Sequence, residues 1–172
     1  MIIGVDPGNH GALVWLNYEG KITKYLVMPM AERGKCYDWH ELDVRRLMFE
    51  LSNMSGLSEH KVFCERPSSY GMLAASAFSY GYNFSLLSKC LESIFENIEY
   101  INPQQWTKPL HEGLDKNLKA KVRSEFAFDK YFPGYEFINP TTGKKIPKVD
   151  QVGLKDAALI AEFGRRKLNS VC

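Results

Sequence analysis

Apolar residues come first in short runs cut by turn signals, then at helical spacing, and these two rhythms lay out the chain. Residues 1–5 are an apolar run halted by Asp6, Pro7 and Gly8, and residues 11–16 are a second run; together they predict a hairpin. A third run, 22–28, follows the Glu19-Gly20 turn and extends the pair into an antiparallel meander. Between 41 and 54 the apolar positions Leu42, Val44, Leu47, Met48 and Leu51 keep a helical period with charges between them. Residues 61–65 read as a short strand bounded by Pro67. Residues 73–95, apolar or small without strand alternation, predict a long buried helix entered from the loop Ser68-Ser69-Tyr70-Gly71. A last strand at 98–101 is closed by Asn102-Pro103. Beyond it come a basic helix at 118–131, a loop rich in Gly, Pro, Asn and Lys at 133–148, and a mostly apolar helix at 152–167. Three meander strands followed by alternating helix and strand predict an α/β domain: a mixed sheet of about five strands with helices on its faces.

With 172 residues, the chain suits one domain spanning 1–172, large enough to bury a real core. Hydrophobic residues at 45% and charged residues at 24% match folded soluble proteins and argue against disorder. No apolar run approaches the roughly 20 residues needed to span a bilayer, and the start lacks a signal-peptide layout, so a cytoplasmic protein without membrane contact is expected. Cys36, Cys64, Cys90 and Cys172 are far apart, form no CxxC pair and have no histidine at zinc-ligand spacing; they read as free thiols. The net charge of +2 hides an asymmetry. Residues 1–100 carry 9 Lys/Arg against 12 Asp/Glu, whereas residues 101–172 carry 13 against 8. The basic excess forms three clusters able to meet phosphates: Lys116, Lys119, Lys121 and Arg123; Lys144, Lys145 and Lys148; and Arg165, Arg166 and Lys167. Taken alone, such clusters are more often a solvated surface.

Three carboxylates change that picture. Asp6 and Glu65 each end a buried strand, and the outer ends of strands are where open α/β sheets build their sites. Asp156 sits within Leu154-Lys-Asp-Ala-Ala-Leu-Ile-Ala161, where small residues predict close packing on the sheet and an uncompensated charge costs several kcal/mol. Singly, Asp6 could open a turn, Glu65 could pair with Arg66 and Asp156 could bond a loop. Three such coincidences on elements that one sheet can gather are a poorer account than one site. Divalent cations would compensate the cluster, and hard oxygen ligands suit magnesium or manganese. Two ions roughly 3.5–4 Å apart support in-line attack of water on a phosphodiester, with a nearby lysine meeting the developing charge.

The same residues resemble a family, the RuvC-like Holliday junction resolvases, and particularly their bacteriophage-encoded branch. Ile2-Ile-Gly-Val-Asp-Pro-Gly8 looks like the family's opening motif, Phe63-Cys-Glu-Arg-Pro67 resembles its second acidic strand, and Asp156-Ala-Ala-Leu-Ile-Ala161 is similar to the helix with its final acid. Pro103-Gln-Gln-Trp106 resembles its Pro-x-x-Trp segment. Lys121 and Ser124, followed by Phe132-Pro133, look like the basic helix that presents a catalytic lysine. The resemblance spans nearly the whole chain and implies an RNase H-like fold, a homodimer, two magnesium ions per site, replaceable by manganese, and paired nicks across a four-way DNA junction. One departure stands out. Such resolvases carry a further acid or histidine three or four residues before the helix aspartate, where this chain has Gly153 and Val152. Asp150, six before, is then either the fourth metal ligand, the reading adopted here, or the helix N-cap.

Around this site, Arg66, Lys116, Lys119, Arg123, Ser124, Lys144 and Lys145 are candidate DNA contacts. Tyr70, in the loop that follows the second acidic strand, could stack on an exposed base for about 1–3 kcal/mol, or simply anchor the loop. The apolar wealth of residues 73–95 exceeds what one face of a small sheet needs and suggests a helix shared with a second subunit. Three rivals compete. Gly4-Val-Asp-Pro-Gly-Asn-His-Gly11 is similar to the first phosphate loop of actin-like sugar kinases, but those need a second domain and a second glycine-rich motif. A non-cutting branched-DNA binder gains nothing from buried acids that repel phosphate. A nuclease for flaps, forks or RNA–DNA hybrids would carry the same acids, because substrate choice depends on dimer spacing or contacts to a 2′-hydroxyl.

Overall fold

A computed structural model describes residues 1–31, 42–53, 59–68 and 71–170. Its five strands are β1 (Ile2–Asp6), β2 (Ala12–Leu16), β3 (Ile22–Val27), β4 (Lys61–Glu65) and β5 (Ile98–Ile101). They form one sheet in the order β3-β2-β1-β4-β5. The first three pair antiparallel as a meander, while β4 runs parallel to β1 and β5 parallel to β4. This is the mixed five-stranded sheet expected from the sequence, and its order puts the two acid-bearing strands side by side. Val5 stands opposite Cys64, so the next residue on each strand is Asp6 on one and Glu65 on the other.

Alternation of side chains along each strand divides the core into two layers. Ile3, Val5, Leu13, Trp15, Val62 and Cys64 pack toward α1 (Val44–Ser52) and α2 (Ala74–Ile94) through Leu47, Leu51, Leu87 and Leu91. Ile2, Ala12, Val14, Leu16, Phe63 and Ile101 face the other way, onto α3 (Pro103–Leu110), α4 (Ala120–Tyr131) and α5 (Lys148–Asn169). By the same period of two, Asp6 shares the face of Ile2 and Gly4, and Glu65 that of Phe63. Both acids therefore belong to the layer that holds α5. That helix lies unusually close. A Cβ on Gly4 would fall 2.0 Å from the Ala157 carbonyl oxygen, and one on Gly164 2.2 Å from the Phe63 ring. The small residues of the α5 sequence are what permit this approach, which carries Asp156 down to the sheet.

The sequence reading departs from the structure in three helices. Residues 73–95 do form α2, but it is not buried throughout. Its buried residues begin at Asn83, and toward its start Leu73 is 80% and Phe78 61% exposed. Length explains the overhang: 21 residues of helix extend about 31 Å, against about 17 Å for the five residues of β4. Helix α3 was not anticipated, although Asn102-Pro103 followed by Gln105 is a helix-start signature. The Gln105 side chain accepts the Asn102 N–H at 2.7 Å, and proline takes the first turn, where no N–H is needed. Helix α5 begins at Lys148 rather than near 152, with Pro147 at the cap position. Asp150 is therefore not an N-cap. It lies in the first helical turn, where its charge suits the positive end of the helix dipole.

Candidate active site

Asp6, Glu65 and Asp156 come together at the carboxyl edge of β1 and β4, from two strands and the helix covering them. Each is held well above its ordinary protonation range. Burial pushes Asp6 up to about 7, helped by the Asp156 and Glu65 charges and opposed by the Gly8 N–H, which donates to its Oδ1 at 3.1 Å. Burial likewise pushes Glu65 up to about 7, with Asp156 adding to the effect and a hydrogen bond from Trp106 working against it. Asp156 is pushed up to about 6 by burial, against a hydrogen bond with Ser124 and the charges of Lys121 and Lys155. The Asp156 Oδ1 atom is sealed from solvent and has no hydrogen-bond partner.

Two hollows flank the acids. Glu65 and Asp156 line a cleft of about 890 Å³ together with Trp106, His111, Lys116, Lys121, Arg123 and Ser124. Asp6 lines a smaller pocket of about 220 Å³ with Gly8, His10 and Val149, and Lys121 borders both. Lys121 thus faces the hollow beside Asp6 and the cleft beside Glu65 and Asp156, exposed to whatever enters either. Glu65 takes its hydrogen bond from the indole Nε1 of Trp106 at 2.5 Å, not from Arg66, which is exposed and whose backbone N–H donates to Ile101. Asp6 does open a turn through Gly8, yet that bond leaves it far from neutralised. The isolated structural roles considered for these acids therefore do not account for their burial.

Other expected residues are distributed differently. Ser124, expected as a DNA contact, is only 8% exposed, and its hydroxyl is engaged on Asp156, so it supports the acid instead of meeting substrate. Arg123 and Lys116 line the large cleft; Lys119 is exposed at the cap position of α4. Lys145 pairs with Glu136 at 2.5 Å, and both it and Lys144 lie on the exposed 138–145 segment, outside the cleft. Tyr70 lies outside the described residues, as do Cys36 and Cys172; Cys64 and Cys90 are buried free thiols. Asp150 pairs with His10 Nδ1 at 3.1 Å and lines a different pocket, with Asn9, Met28 and Ile146.

Among the described residues, no three His, Cys, Asp or Glu side chains close around one point as an ion's ligand shell. The acids are gathered but not closed. Sheet register and the seat of α5 fix their backbones, whereas the carboxylates can still turn about their side-chain torsions. Three mutually repelling buried carboxyls with an orphaned oxygen are what a divalent cation would relieve, so the donor set fits magnesium or manganese.

Trp106 has a role that its sequence segment did not disclose. It is 3% exposed, and its only polar atom is aimed at Glu65. A hydrogen bond to a charged group is worth about 1.5–3 kcal/mol, and this one favours the ionised carboxylate. Trp106→Phe keeps the ring packing and removes the donor. It should move the acid limb of the activity profile upward by about one pH unit and lower the rate at pH 7 by roughly tenfold. A rate-against-pH series on the folded variant measures this; an unshifted profile would reduce Trp106 to packing.

No family model matches the chain, and no curated protein matches it. Among solved structures it is similar to the T. thermophilus RuvC in complex with a Holliday junction substrate, with a TM-score of 0.60 and 15% identity, covering 96% of this chain and 95% of that one. It is also similar to a Thermus thermophilus RuvC structure, with a TM-score of 0.51 and 14% identity at the same coverage. The chain has the RuvC-type, RNase H-like fold: a mixed five-stranded sheet flanked by helices.

Proposed function

We propose that this protein is a structure-selective DNA endonuclease that resolves four-way junctions by paired nicks and cuts related branched DNA, as a member of the bacteriophage-encoded branch of such resolvases. The observation that carries this reading is the set of three buried, protonation-shifted carboxylates at one sheet edge, two of which, Glu65 and Asp156, open into a cleft lined by Lys116, Lys121 and Arg123, while Asp6 lines the adjoining pocket that Lys121 also borders. A neighbour of the same fold bound to a Holliday junction supports the choice of substrate.

Asp6, Glu65 and Asp156 would hold two divalent ions, magnesium with manganese able to replace it, which would supply an activated water and charge compensation at a phosphodiester. Asp150 is engaged by His10, which leaves the proposed ligand set at three. Trp106 orients Glu65 and favours its ionised form against the effect of burial, and Ser124 does the same for Asp156. Lys121 presents its ammonium beside Asp156, where it can meet charge building on the phosphate oxygens. Water is kept from the rear of the site by the layer of Phe63, Ala157 and Ala161. A symmetric junction asks for two such sites, and a homodimer would supply them. The exposed apolar start of α2, with Met72 43% and Leu73 80% exposed, is surface of the kind such a dimer could cover. Among the described residues no helix is long and apolar enough to cross a membrane.

The test is a cleavage panel in magnesium and manganese on four-way junctions, forks, flaps, plain duplex and RNA–DNA hybrid. Symmetric nicks in the junction at rates well above duplex are expected. A preference for hybrid or flap would move the substrate within the same chemistry, and binding without cutting in either metal would sink the nuclease reading.

A further inference from the structure

The cleft carries more than the mechanism above uses. Helix α3 ends at His111, whose backbone N–H caps the helix on Thr107 and whose ring stands edge-on to Trp106, centroids 5.8 Å apart. Arg123, on α4, lines the same cleft. The Nε2 atom of His111 and the Nε atom of Arg123 are both sealed from solvent, and neither has a hydrogen-bond partner. A buried polar atom left unsatisfied costs about 1–3 kcal/mol, more when charged. Two of them on one cleft wall are a standing cost to the fold, and in native proteins such groups call for an explanation. No carboxylate among the described residues pairs with Arg123; Glu112, also at the cleft, is exposed and unpaired with it.

We propose that His111 and Arg123 form a seat for a nucleic-acid phosphodiester, one indole ring away from Glu65, which takes a phosphate next to the one being cut. The seat deepens the nuclease reading and rests on it. Trp106 touches both places: its indole N–H holds Glu65, and its ring meets that of His111 nearly at right angles. A strand whose scissile phosphate reaches Glu65 and Asp156 therefore passes this wall. The seat suits a phosphodiester in charge and in donors. Arg123 supplies a positive charge and a forked set of N–H groups, the geometry that phosphate oxygens accept. Burial and the Arg123 charge hold the His111 imidazole below its usual pKa, and the uncharged ring, in its Nε2–H tautomer, donates one hydrogen bond and leaves the charge to the arginine. The cleft, at about 890 Å³, is far larger than one phosphate needs, and Lys116 and Lys121 continue its basic lining.

The experiment uses the whole protein in EDTA, so that no cutting intervenes. Binding of a four-way junction is measured against salt for wild type, Arg123→Gln and His111→Phe. In parallel, the His111 ring nitrogens are followed by NMR during titration with the dinucleotide TpT, its neutral methylphosphonate analogue and inorganic phosphate. Expected are about tenfold weaker junction binding by Arg123→Gln, with the logarithmic salt slope smaller by about 0.9. A smaller loss of three- to tenfold is expected in His111→Phe. The His111 Nε2 signal should move with TpT, stay still with the methylphosphonate, and stop responding in Arg123→Gln. Wild-type salt slopes in both variants with a silent His111 signal would overturn the seat, as would a response to inorganic phosphate but not to TpT. If a variant fails to fold, the wild-type titrations decide the matter alone. A His111 response in a protein that cuts no DNA would keep the seat and sink the nuclease reading; full cutting with a silent His111 would do the reverse.

Discussion

Asp6→Asn, Glu65→Gln and Asp156→Asn should each lower the cleavage rate on a four-way junction by on the order of 10³ while leaving junction affinity within a few-fold of wild type. Affinity should survive because the cations that meet phosphate, Lys116, Lys121 and Arg123, line the cleft wall and are untouched by these changes. In EDTA the neutral variants should bind slightly more tightly, since each removes a negative charge that repels the strand. The three effects should not add: a double variant should be little worse than the poorer single one, because residues that hold the same ions act as a unit. Single-turnover rates in magnesium beside binding curves in EDTA measure both quantities. Near-normal turnover in any of the three would remove that residue from the site.

The second large effect concerns stability. The three carboxyls titrate lower in an unfolded chain than in the fold, where burial, joined at Asp6 and Glu65 by repulsion from the neighbouring acids, holds those two near 7 and burial alone holds Asp156 near 6. Raised folded-state values mean that the folded chain keeps its protons longer. The contribution of these groups is therefore fully present below pH about 4 and is lost as pH rises through 6–7. Asp6 alone, moved from 3.8 to about 7, corresponds to on the order of 4 kcal/mol at pH 8. Thermal melts in EDTA should show wild type weakening between pH 5 and 8 relative to Asp6→Asn. The variant should melt several degrees higher at pH 8, at roughly 2–4 °C per kcal/mol for a domain of this size. Magnesium should raise the wild-type melting point at pH 8 and do little at pH 5, where protonated acids cannot hold it. Parallel pH curves for wild type and variant, with no effect of magnesium, would show that the acids are neither strained nor ligands.

Much of this was legible along the chain because it depends on local periodicity. Short apolar runs cut by turn signals mark β1 to β5 within a residue or two, and the apolar period with small residues marks α5 as the helix pressed on the sheet. A charged residue inside such a run has to be compensated, which is why Asp156 stood out beside Asp6 and Glu65. Alternation even fixes that the two strand acids share a face, once the strands are neighbours. That they are neighbours is a matter of long-range pairing: β1 meets β4 across some 55 residues of intervening chain, and no local pattern states which edge a strand will join. The directions of individual polar groups were likewise decided only by the tertiary structure. Trp106 stands in the sequence only as the end of a Pro-x-x-Trp segment until α3 turns its N–H toward Glu65, and Ser124 as a candidate DNA contact until α4 packs it against Asp156. Asp150 reads as a cap or a ligand until Pro147 starts the helix one turn earlier and the carboxylate finds His10. Hydrophobic burial repeats with the period of the backbone and can be read residue by residue. A hydrogen bond depends on where two distant elements come to rest, and only the folded chain holds that information.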